Sequence, residues 1–197
     1  MDPILALGGI GSAFGLSGSA GLNAYIPLLI VGLAGRFPAG DPLLTLAEPY
    51  NTLSNPWALG LLAVLLLIEV TVDKIPAVDS INDAIQTFIR PAAGAILFAA
   101  NANVVTDISP VLALVAGLLL AGSVHATKAT IRPAVTATTL GSGNWLVSIL
   151  EDVTAAIVSL LSILIPVLGI ILFFFVLLLG IAVARRWRRR KRAVGRA

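Results

Sequence analysis

Cysteine is absent from the 197 residues of the chain, and only 12% of them are charged. The chain therefore forms no disulfide and offers no thiol chemistry, and its redox compartment cannot be read from cysteine usage. His125 is the single histidine, so no zinc set of several imidazoles or thiolates is available. Apolar residues are abundant instead, at 58% of the chain, against about 45–50% in a typical soluble domain.

Several uncharged runs are long enough to cross a bilayer. The 32 residues from Val153 to Ala184 carry no charge. As a helix they would reach about 50 Å, which exceeds a hydrocarbon core of about 30 Å. The N-terminus lacks the basic region of a secretory signal, so its apolar stretch is expected to remain in the mature protein. We expect an all-α membrane protein, a polytopic helical bundle of about five to six spans with broken or re-entrant helices.

Glycine and proline divide the chain into predicted segments. We expect one transmembrane domain over residues 1–184 and a basic cytoplasmic tail over residues 185–197. The predicted spans lie near residues 4–35, 57–75, 79–103, 110–132 and 146–184, with a surface loop over residues 36–56. Pro133 is expected to stop the fourth span and Pro166 to kink the last one.

Two of these segments are predicted to be discontinuous. Residues 4–35 are rich in glycine, which favours a half-helix, an unwound turn near Gly18–Asn23 and a second helix. The exposed backbone groups of that turn are expected to line a polar cavity, with Asn23 and Tyr25 nearby. Residues 134–148 are rich in threonine and glycine, which indicates a re-entrant or discontinuous element.

The basic residues are concentrated at the C-terminus. The tail holds eight of the thirteen lysine and arginine residues, which leaves five basic and ten acidic residues in the rest of the chain. A basic run directly after an apolar helix is typical of a cytoplasmic stop, and contact with anionic lipid headgroups is a further role. Binding to nucleic acid is the alternative, but no basic or aromatic platform accompanies the tail. We expect a multi-pass protein of the cell (inner) membrane with a cytoplasmic C-terminus, membrane lipids as partners and no nucleic acid; homo-oligomerisation stays open.

The remaining basic residues predict the orientation of the junctions between spans. Lys74 and Arg90 flank one junction, and Lys128 and Arg132 flank another. By the positive-inside rule both face the cytoplasm, together with the tail. An even number of crossings must then separate Arg132 from the tail. Either residues 134–150 cross the membrane, or residues 153–184 do not form a single span.

A repeated string indicates an internal duplication. Residues 84–95 can be aligned with residues 126–137, and Ile-Arg-Pro-Ala is identical at residues 89–92 and 131–134. Many transporters are built from repeats with broken helices at the binding site. Chance similarity within low-complexity apolar sequence is the alternative.

Polar and ionisable residues close to apolar runs are the candidates for a substrate or ion pathway. A charge at bilayer depth costs at least about 2.5–3.5 kcal/mol, so such a group persists where it is paired or functional. The candidates are Asn23, Tyr25, Asp73, Lys74, Asp79, Asp83, Arg90, His125, Lys128, Arg132, Glu151 and Asp152.

Structural roles compete with function at several of these positions. Asp79 is typical of a helix start, where an acid satisfies the N-terminal dipole, and Glu151-Asp152 fits the same role. Lys128 and Arg132 are compatible with snorkelling. Arg90 has apolar sequence on both sides, which favours a buried ion pair.

Three hypotheses of function follow. The first is a small transporter or channel-like protein, in which Arg90, Lys128 and Arg132 hold an anionic group of a small polar or ionic solute. In this hypothesis the acidic residues that relay protons or coordinate a cation are Asp73, Asp79, Asp83 and Glu151. The second is an intramembrane enzyme acting on a lipid or lipid phosphate, with Mg²⁺ between Asp79 and Asp83. The third is a non-catalytic membrane scaffold whose charges lock helix packing.

The enzyme hypothesis has the weaker motif support. No nucleophile elbow, P-loop or HExxH string is present. We therefore assign no catalytic residue and no cofactor, and leave the metal unspecified.

Four strings together resemble a known family. They are Ser-Gly-Ser-Ala-Gly-Leu-Asn-Ala-Tyr-Ile-Pro-Leu-Leu (17–29), Asp-Lys-Ile-Pro-Ala-Val-Asp-Ser (73–80), Ile-Arg-Pro-Ala-Ala-Gly (89–94) and His-Ala-Thr-Lys-Ala-Thr-Ile-Arg-Pro (125–133). They are similar to bacterial integral-membrane proteins grouped as domain-of-unknown-function family 4126. The likeness covers most of the chain except the tail and the proline-rich loop. It implies a membrane location, and it carries over no activity and no site residues.

Overall fold

The computed structural model describes residues 3–38, 43–73, 76–101, 108–139 and 143–166, together with residues 168, 171, 174, 175, 178, 181, 182, 185 and 186. For residues 3–7 and 76–81 the description covers the backbone alone. The predicted all-helical fold is confirmed for these residues, which form helices and turns with a lone bridge between Leu46 and Asn101.

Proline and asparagine begin several of the helices. The α-helices are α1 Pro3–Ala20, α2 Tyr25–Ala34, α3 Pro56–Val72, α4 Pro76–Ala100, α5 Pro110–Thr139 and α6 Asn144–Leu164, and a 3-10 helix spans Tyr50–Ser54. Proline suits the first helical position because the N–H that it lacks has no partner there. Before α3, the side chain of Asn55 accepts a hydrogen bond from the backbone N–H of Trp57, which caps the helix.

Helices α4 and α5 form an antiparallel pair with an extensive interface. Thr87 contacts His125, whereas a Cβ on Gly94 would lie 2.3 Å from the Cβ of Ala121. A Cβ on Gly117 would lie 2.3 Å from the carbonyl oxygen of Gly94. Glycine and alanine therefore let the two backbones approach closely, as small residues do between membrane helices.

Helix α1 lies at the centre of the bundle, in contact with α2, α4, α5 and α6. It runs antiparallel to α6, since Ser19 bonds Ser159 and Ser12 donates to the Ser162 carbonyl. At residues 21–24 the chain turns back into α2. A Cβ on Gly21 would lie 2.5 Å from the carbonyl oxygen of Ala121, so only glycine permits α5 to approach this turn.

Large apolar side chains cover much of the exterior. The exposed fraction is 87% for Trp57 on α3, 79% for Phe88 on α4 and 67% for Val111 on α5. The interior contains serine, asparagine and charged residues beside alanine and leucine. Among the described residues, α5 and α6 are long and apolar enough to cross a membrane, and α2 and α3 are shorter apolar helices.

Several element boundaries differ from the sequence predictions. Helix α5 passes Pro133 and ends at Thr139, because the ring removes one backbone donor while the following turn remains helical and Thr136 donates to the Arg132 carbonyl. The predicted discontinuous element over residues 134–148 is therefore divided between the end of α5 and the start of α6. Helix α4 begins at Pro76, three residues before Asp79, so Asp79 lies inside the first turn and not before it.

The last apolar run is also divided. Helix α6 ends at Leu164, followed by a bend at Ile165 and then by Pro166. Pro166 lies beside Gly8, whereas the ring of Phe174 stacks on Phe14 with centroids 6.5 Å apart. Since Phe14 lies further along α1, towards the turn at residues 21–24, the chain reverses direction at Ile165. The basic tail from residue 187 onward, part of the predicted loop (residues 39–42) and Lys74 lie outside the described residues.

A buried ionic cluster as the candidate functional site

Seven charged side chains from four helices meet at one end of the bundle. We call them the ionic cluster: Glu69 on α3, Asp73 just after α3, Asp83 and Arg90 on α4, Lys128 and Arg132 on α5, and Glu151 on α6. The cluster lies where α3 ends, α4 begins and α5 meets α6. Helix periodicity explains why one face of α5 supplies two of its members, because positions four apart share a face.

Arg90 is the most buried member, with a fully inaccessible side chain. Its Nη2 atom lies 2.9 Å from Glu69 Oε1 and 3.8 Å from Asp73 Oδ2, and its Nη1 atom lies 3.6 Å from Asp83 Oδ1. The planar guanidinium can point separate N–H groups at separate acceptors. Arg90 therefore joins the acids of α3 to the acid of α4.

Arg132 and Lys128 join the same carboxylates to α6. Arg132 lies 3.3 Å from Asp73 and 3.6 Å from Asp83, and both Arg132 and Lys128 approach Glu151, at 2.8 Å and 2.9 Å. Asp73 and Asp83 are thus each within 4.0 Å of all three cations. Sharing of this kind offsets the desolvation that makes buried charges costly.

The turn between α1 and α2 contributes backbone groups to the cluster. Lys128 Nζ donates to the carbonyl oxygen of Leu22 at 3.2 Å. The side chain of Asn23 accepts from the backbone N–H groups of Tyr25 and Ile26, and donates to Asp152 Oδ1 at 2.9 Å. The break in the helix therefore exposes a carbonyl to a buried cation, and one asparagine both caps α2 and fixes an acid of α6.

His125 is held as a neutral imidazole by its neighbours. Arg90 Nη1 lies 3.1 Å from His125 Nδ1, and a guanidinium can only donate, so Nδ1 is the acceptor. The proton of the ring is then on Nε2, which lies 3.1 Å from Thr87 Oγ1. Thr87 in turn donates to the Asp83 carbonyl. His125 thus extends the cluster as an uncharged hydrogen-bonding group.

The side chains of the cluster differ in their exposure to solvent. Glu69 is the least exposed, and Asp83 and Glu151, which we call the rim, are the most exposed of its acids. The exposed fraction of the side chain is 1% for Glu69 and 3% for Asp73, but 20% for Asp83 and 13% for Glu151. Among the described residues, Glu69 Oε2, Gln86 Oε1 and Asp83 Oδ1 are buried oxygens without a hydrogen-bond partner. Of these, Asp83 Oδ1 has two cations nearby, Arg90 at 3.6 Å and Lys128 at 4.0 Å. The site therefore combines an interior with unsatisfied acceptors and a rim in contact with solvent.

Most of the predicted site residues lie in or beside the cluster. Those brought together are Asn23, Tyr25, Asp73, Asp83, Arg90, His125, Lys128, Arg132, Glu151 and Asp152. Lys74 and the side chain of Asp79 lie outside the described residues.

Several residues in or beside the ionic cluster were not predicted from the sequence. Asn82 donates to Asp73 Oδ1 at 2.7 Å, and Ser148 Oγ lies 3.5 Å from Asp73 Oδ2. Gln86 is buried near Tyr25, and Glu69 was not among the predicted site residues. Glu69 lies inside an apolar run, and that position was the available signal.

The described cluster is not arranged as a metal site. Among the described residues, no group of three or more histidine or acidic side chains is placed to hold a metal ion. Instead, each of its carboxylates contacts at least one arginine or lysine.

One family model matches the chain. It is the domain of unknown function DUF4126, and it covers residues 10–186. The chain belongs to this family. The DUF4126 match includes every member of the ionic cluster and the turn between α1 and α2. No curated protein and no solved structure matches the chain.

Proposed function

We propose that the chain is a multi-pass membrane transporter for a small polar or ionic solute, with the ionic cluster as its binding site. The observation that carries this proposal is the convergence of both signs of charge on the turn between α1 and α2, inside a protein with an apolar exterior. Ionisable groups that line the interior between apolar helices are a recurrent feature of ion and substrate pathways.

The distribution of polarity supports the membrane location. Large apolar side chains are exposed along α3, α5 and α6, and the ionised groups of the same helices face inward. A monomeric soluble protein rarely exposes apolar surface of this extent. A hydrocarbon environment satisfies the exterior and leaves the interior for polar chemistry.

The direction of the helices supports a cytoplasmic cluster. Helix α3 ends and α4 begins at the cluster end, where α5 also ends and α6 begins, and the stacking of Phe174 on Phe14 places Phe174 nearer to that end than Pro166. The predicted cytoplasmic junctions and the basic tail then share one side, which satisfies the positive-inside rule. The even number of crossings that this orientation requires is compatible with a reversal of the chain after α6.

The antiparallel α4–α5 pair supports the duplication. Arg90-Pro91 and Arg132-Pro133 are 42 positions apart, and each arginine enters the cluster. The same spacing relates two further pairs, Asp83 with His125 and Gln86 with Lys128, and all four side chains are in or beside the cluster. Repeats of opposite direction around a central site are typical of secondary transporters.

The other two hypotheses receive less support. A metal-dependent enzyme needs acids that are free to coordinate a cation, but those described here are committed to arginine and lysine. A scaffold needs no solvent-accessible rim at its charges, whereas Asp83 and Glu151 keep one.

Flux into proteoliposomes tests the proposal. The protein is reconstituted and assayed with labelled organic anions, inorganic anions, amino acids and alkali cations, each with and without a pH gradient. We expect Asp83→Asn and Glu151→Gln to abolish flux of the transported solute, because they remove rim charges with little change in shape. Glu48→Gln, a matched change on an exposed loop residue, keeps the flux of the unmodified protein. Absence of flux across the whole panel, or equal flux in all variants, contradicts the transport function.

A further inference from the structure

The ionic cluster has more acids than bases. Its described side chains comprise four carboxyl groups and three cations, and His125 is held neutral by Arg90. With every carboxyl ionised, the cluster therefore carries one unbalanced negative charge. Asp152, bonded to Asn23 beside the cluster, adds to the excess and not to the balance. An unbalanced charge in a buried site is costly, so a bound proton is the simplest neutralising group.

The contacts of each carboxyl indicate which one holds the proton. Asp73 and Asp83 each lie within 4.0 Å of three cations, and Glu151 lies within 3 Å of two. Among the described residues, Glu69 has Arg90 alone, at 2.9 Å. Glu69 is thus the carboxyl with the least compensation for its charge, and it is also the least exposed of the four.

The hydrogen bonds of Glu69 leave room for a proton. Oε1 accepts from Arg90, whereas Oε2 is buried and has no partner among the described residues. An ionised Oε2 without a donor would lose its hydration with nothing in exchange. A proton on Oε2 removes that deficit and turns the oxygen into a donor. The buried Gln86 Oε1, which also lacks a donor, and the Tyr25 side chain lie on this side of the cluster.

We infer that Glu69 is protonated in this structure and is the exchangeable proton site of the cluster. The groups that face it are Arg90 on α4, Asp73 at the end of α3, Lys128 on α5 and Tyr25 on α2. Release of the proton breaks the O–H bond, passes H⁺ to a water molecule and leaves an anion that draws Arg90 towards Glu69. Arg90 then contributes less to Asp73 and Asp83, which it also contacts. The proton thus competes for the arginine that organises the solute site.

This inference has two parts that can fail separately. Protonation of Glu69 is a property of the folded protein and does not depend on transport. The coupling of that proton to a solute rests on the transport function proposed above, and it names H⁺ as the coupling ion.

Infrared spectroscopy of the purified protein tests the first part. A protonated carboxyl group has a carbonyl stretch separate from that of carboxylates, and the band shifts in D₂O. We expect a band at neutral pH that Glu69→Gln removes and that Asp83→Asn and Glu48→Gln leave in place. Absence of the band, or its removal by Asp83→Asn instead, overturns the assignment.

The stability of the same variant gives an independent readout. Glutamine has the shape and neutral charge of protonated glutamic acid, so Glu69→Gln should fold with an unfolding temperature close to that of the unmodified protein. Asp73→Asn, which removes a charge shared by three cations, should lower that temperature. A Glu69→Gln protein that fails to fold contradicts a neutral Glu69.

Flux measurements test the coupling. With a solute that the unmodified protein transports, Glu69→Gln should abolish accumulation driven by a pH gradient, whereas Glu48→Gln on the exposed loop should keep it. Accumulation that persists in Glu69→Gln, or that depends on Na⁺ and not on pH, overturns proton coupling. If the infrared band is assigned to Glu69 but no solute moves, the protonation stands and the transport function fails.

Discussion

Charged side chains fill the interior of the bundle at the end where α3 ends and α4 begins. At the opposite end of α4 and α5, alanine and glycine fill the interior instead. Ala13, Ala99 and Ala113 pack there with Phe98 in a small apolar core, and Gly94 and Gly117 bring α4 and α5 into backbone contact. Helices α4 and α5 take part at both ends. The two ends differ in the kind of contact that fixes the distance between the helices.

Helix packing at the small-residue end depends on steric fit, whereas helix packing at the charged end depends on ion pairs. A close approach of backbones tolerates no added atom, but it tolerates a change of solution conditions because no ionised group takes part. The ionic cluster has side chains long enough to adjust, yet removal of one member leaves the others without compensation. The first end is therefore suited to a fixed pivot, and the second to an arrangement that changes with bound protons or solute.

The largest loss of stability is expected from Arg90→Ala, at the charged end. It removes the hydrogen-bond donor of Glu69 and one of the three cations beside Asp73 and Asp83 in a buried site, and loss of one partner of a buried pair costs about 3–5 kcal/mol. Thermal or denaturant unfolding in detergent measures the change. Arg36→Ala is the matched control, because Arg36 is exposed, donates to the Ser54 carbonyl at 3.3 Å and lies over the ring of Phe37, away from the cluster. Equal losses in the two variants would mean that the cluster does not stabilise the fold.

An intermediate effect is expected from Gly117→Val at the small-residue end. A side chain at this position meets the carbonyl of Gly94 and the backbone of Ala95, and overpacking of this kind costs about 1–3 kcal/mol. Unfolding experiments of the same type measure it. Gly60→Ala is the control, since a Cβ at Gly60 meets no atom within 4 Å, and the change should stabilise α3 by up to about 1 kcal/mol. A neutral Gly117→Val would show that α4 and α5 can separate.

The smallest effect on stability is expected from Asn23→Ala, at about 1 kcal/mol, as for loss of a helix cap. Asn55→Ala removes a comparable cap from the exposed start of α3 and should cost a similar amount. The two differ in function, since Asn23 alone also holds Asp152 beside the cluster. Flux should therefore fall in Asn23→Ala and not in Asn55→Ala. A parallel response of both variants would assign Asn23 a capping role only.

The sequence allowed prediction of the helical class and pointed to most of the polar residues at the charged end. Arg90 could be singled out because apolar residues flank it on both sides, and a charge in such a position needs a partner. The break in the first apolar stretch followed from its glycines, and it is found at residues 21–24, at the end of the predicted turn.

The partners themselves could not be predicted. Glu69 is 21 positions before Arg90, and the pairing of the two depends on how α3 and α4 pack. The course of α5 through Pro133 was also missed, because local sequence signals a break and does not report the helical turn that follows the proline. Tertiary contacts decided both outcomes.

The bond between Glu69 and Arg90 has a consequence for biogenesis. Helices α3 and α4 are consecutive, so the carboxyl group of Glu69 and the guanidinium group of Arg90 are synthesised close together and can form their hydrogen bond within one hairpin. An isolated arginine at the centre of a span carries an insertion penalty of about 2.5–3.5 kcal/mol, and a paired one carries less. In a membrane, Glu69 on α3 would therefore lower the free-energy cost of inserting Arg90 on α4. The otherwise apolar sequence of α3 would compensate for the polar face of α4 when the two helices insert together.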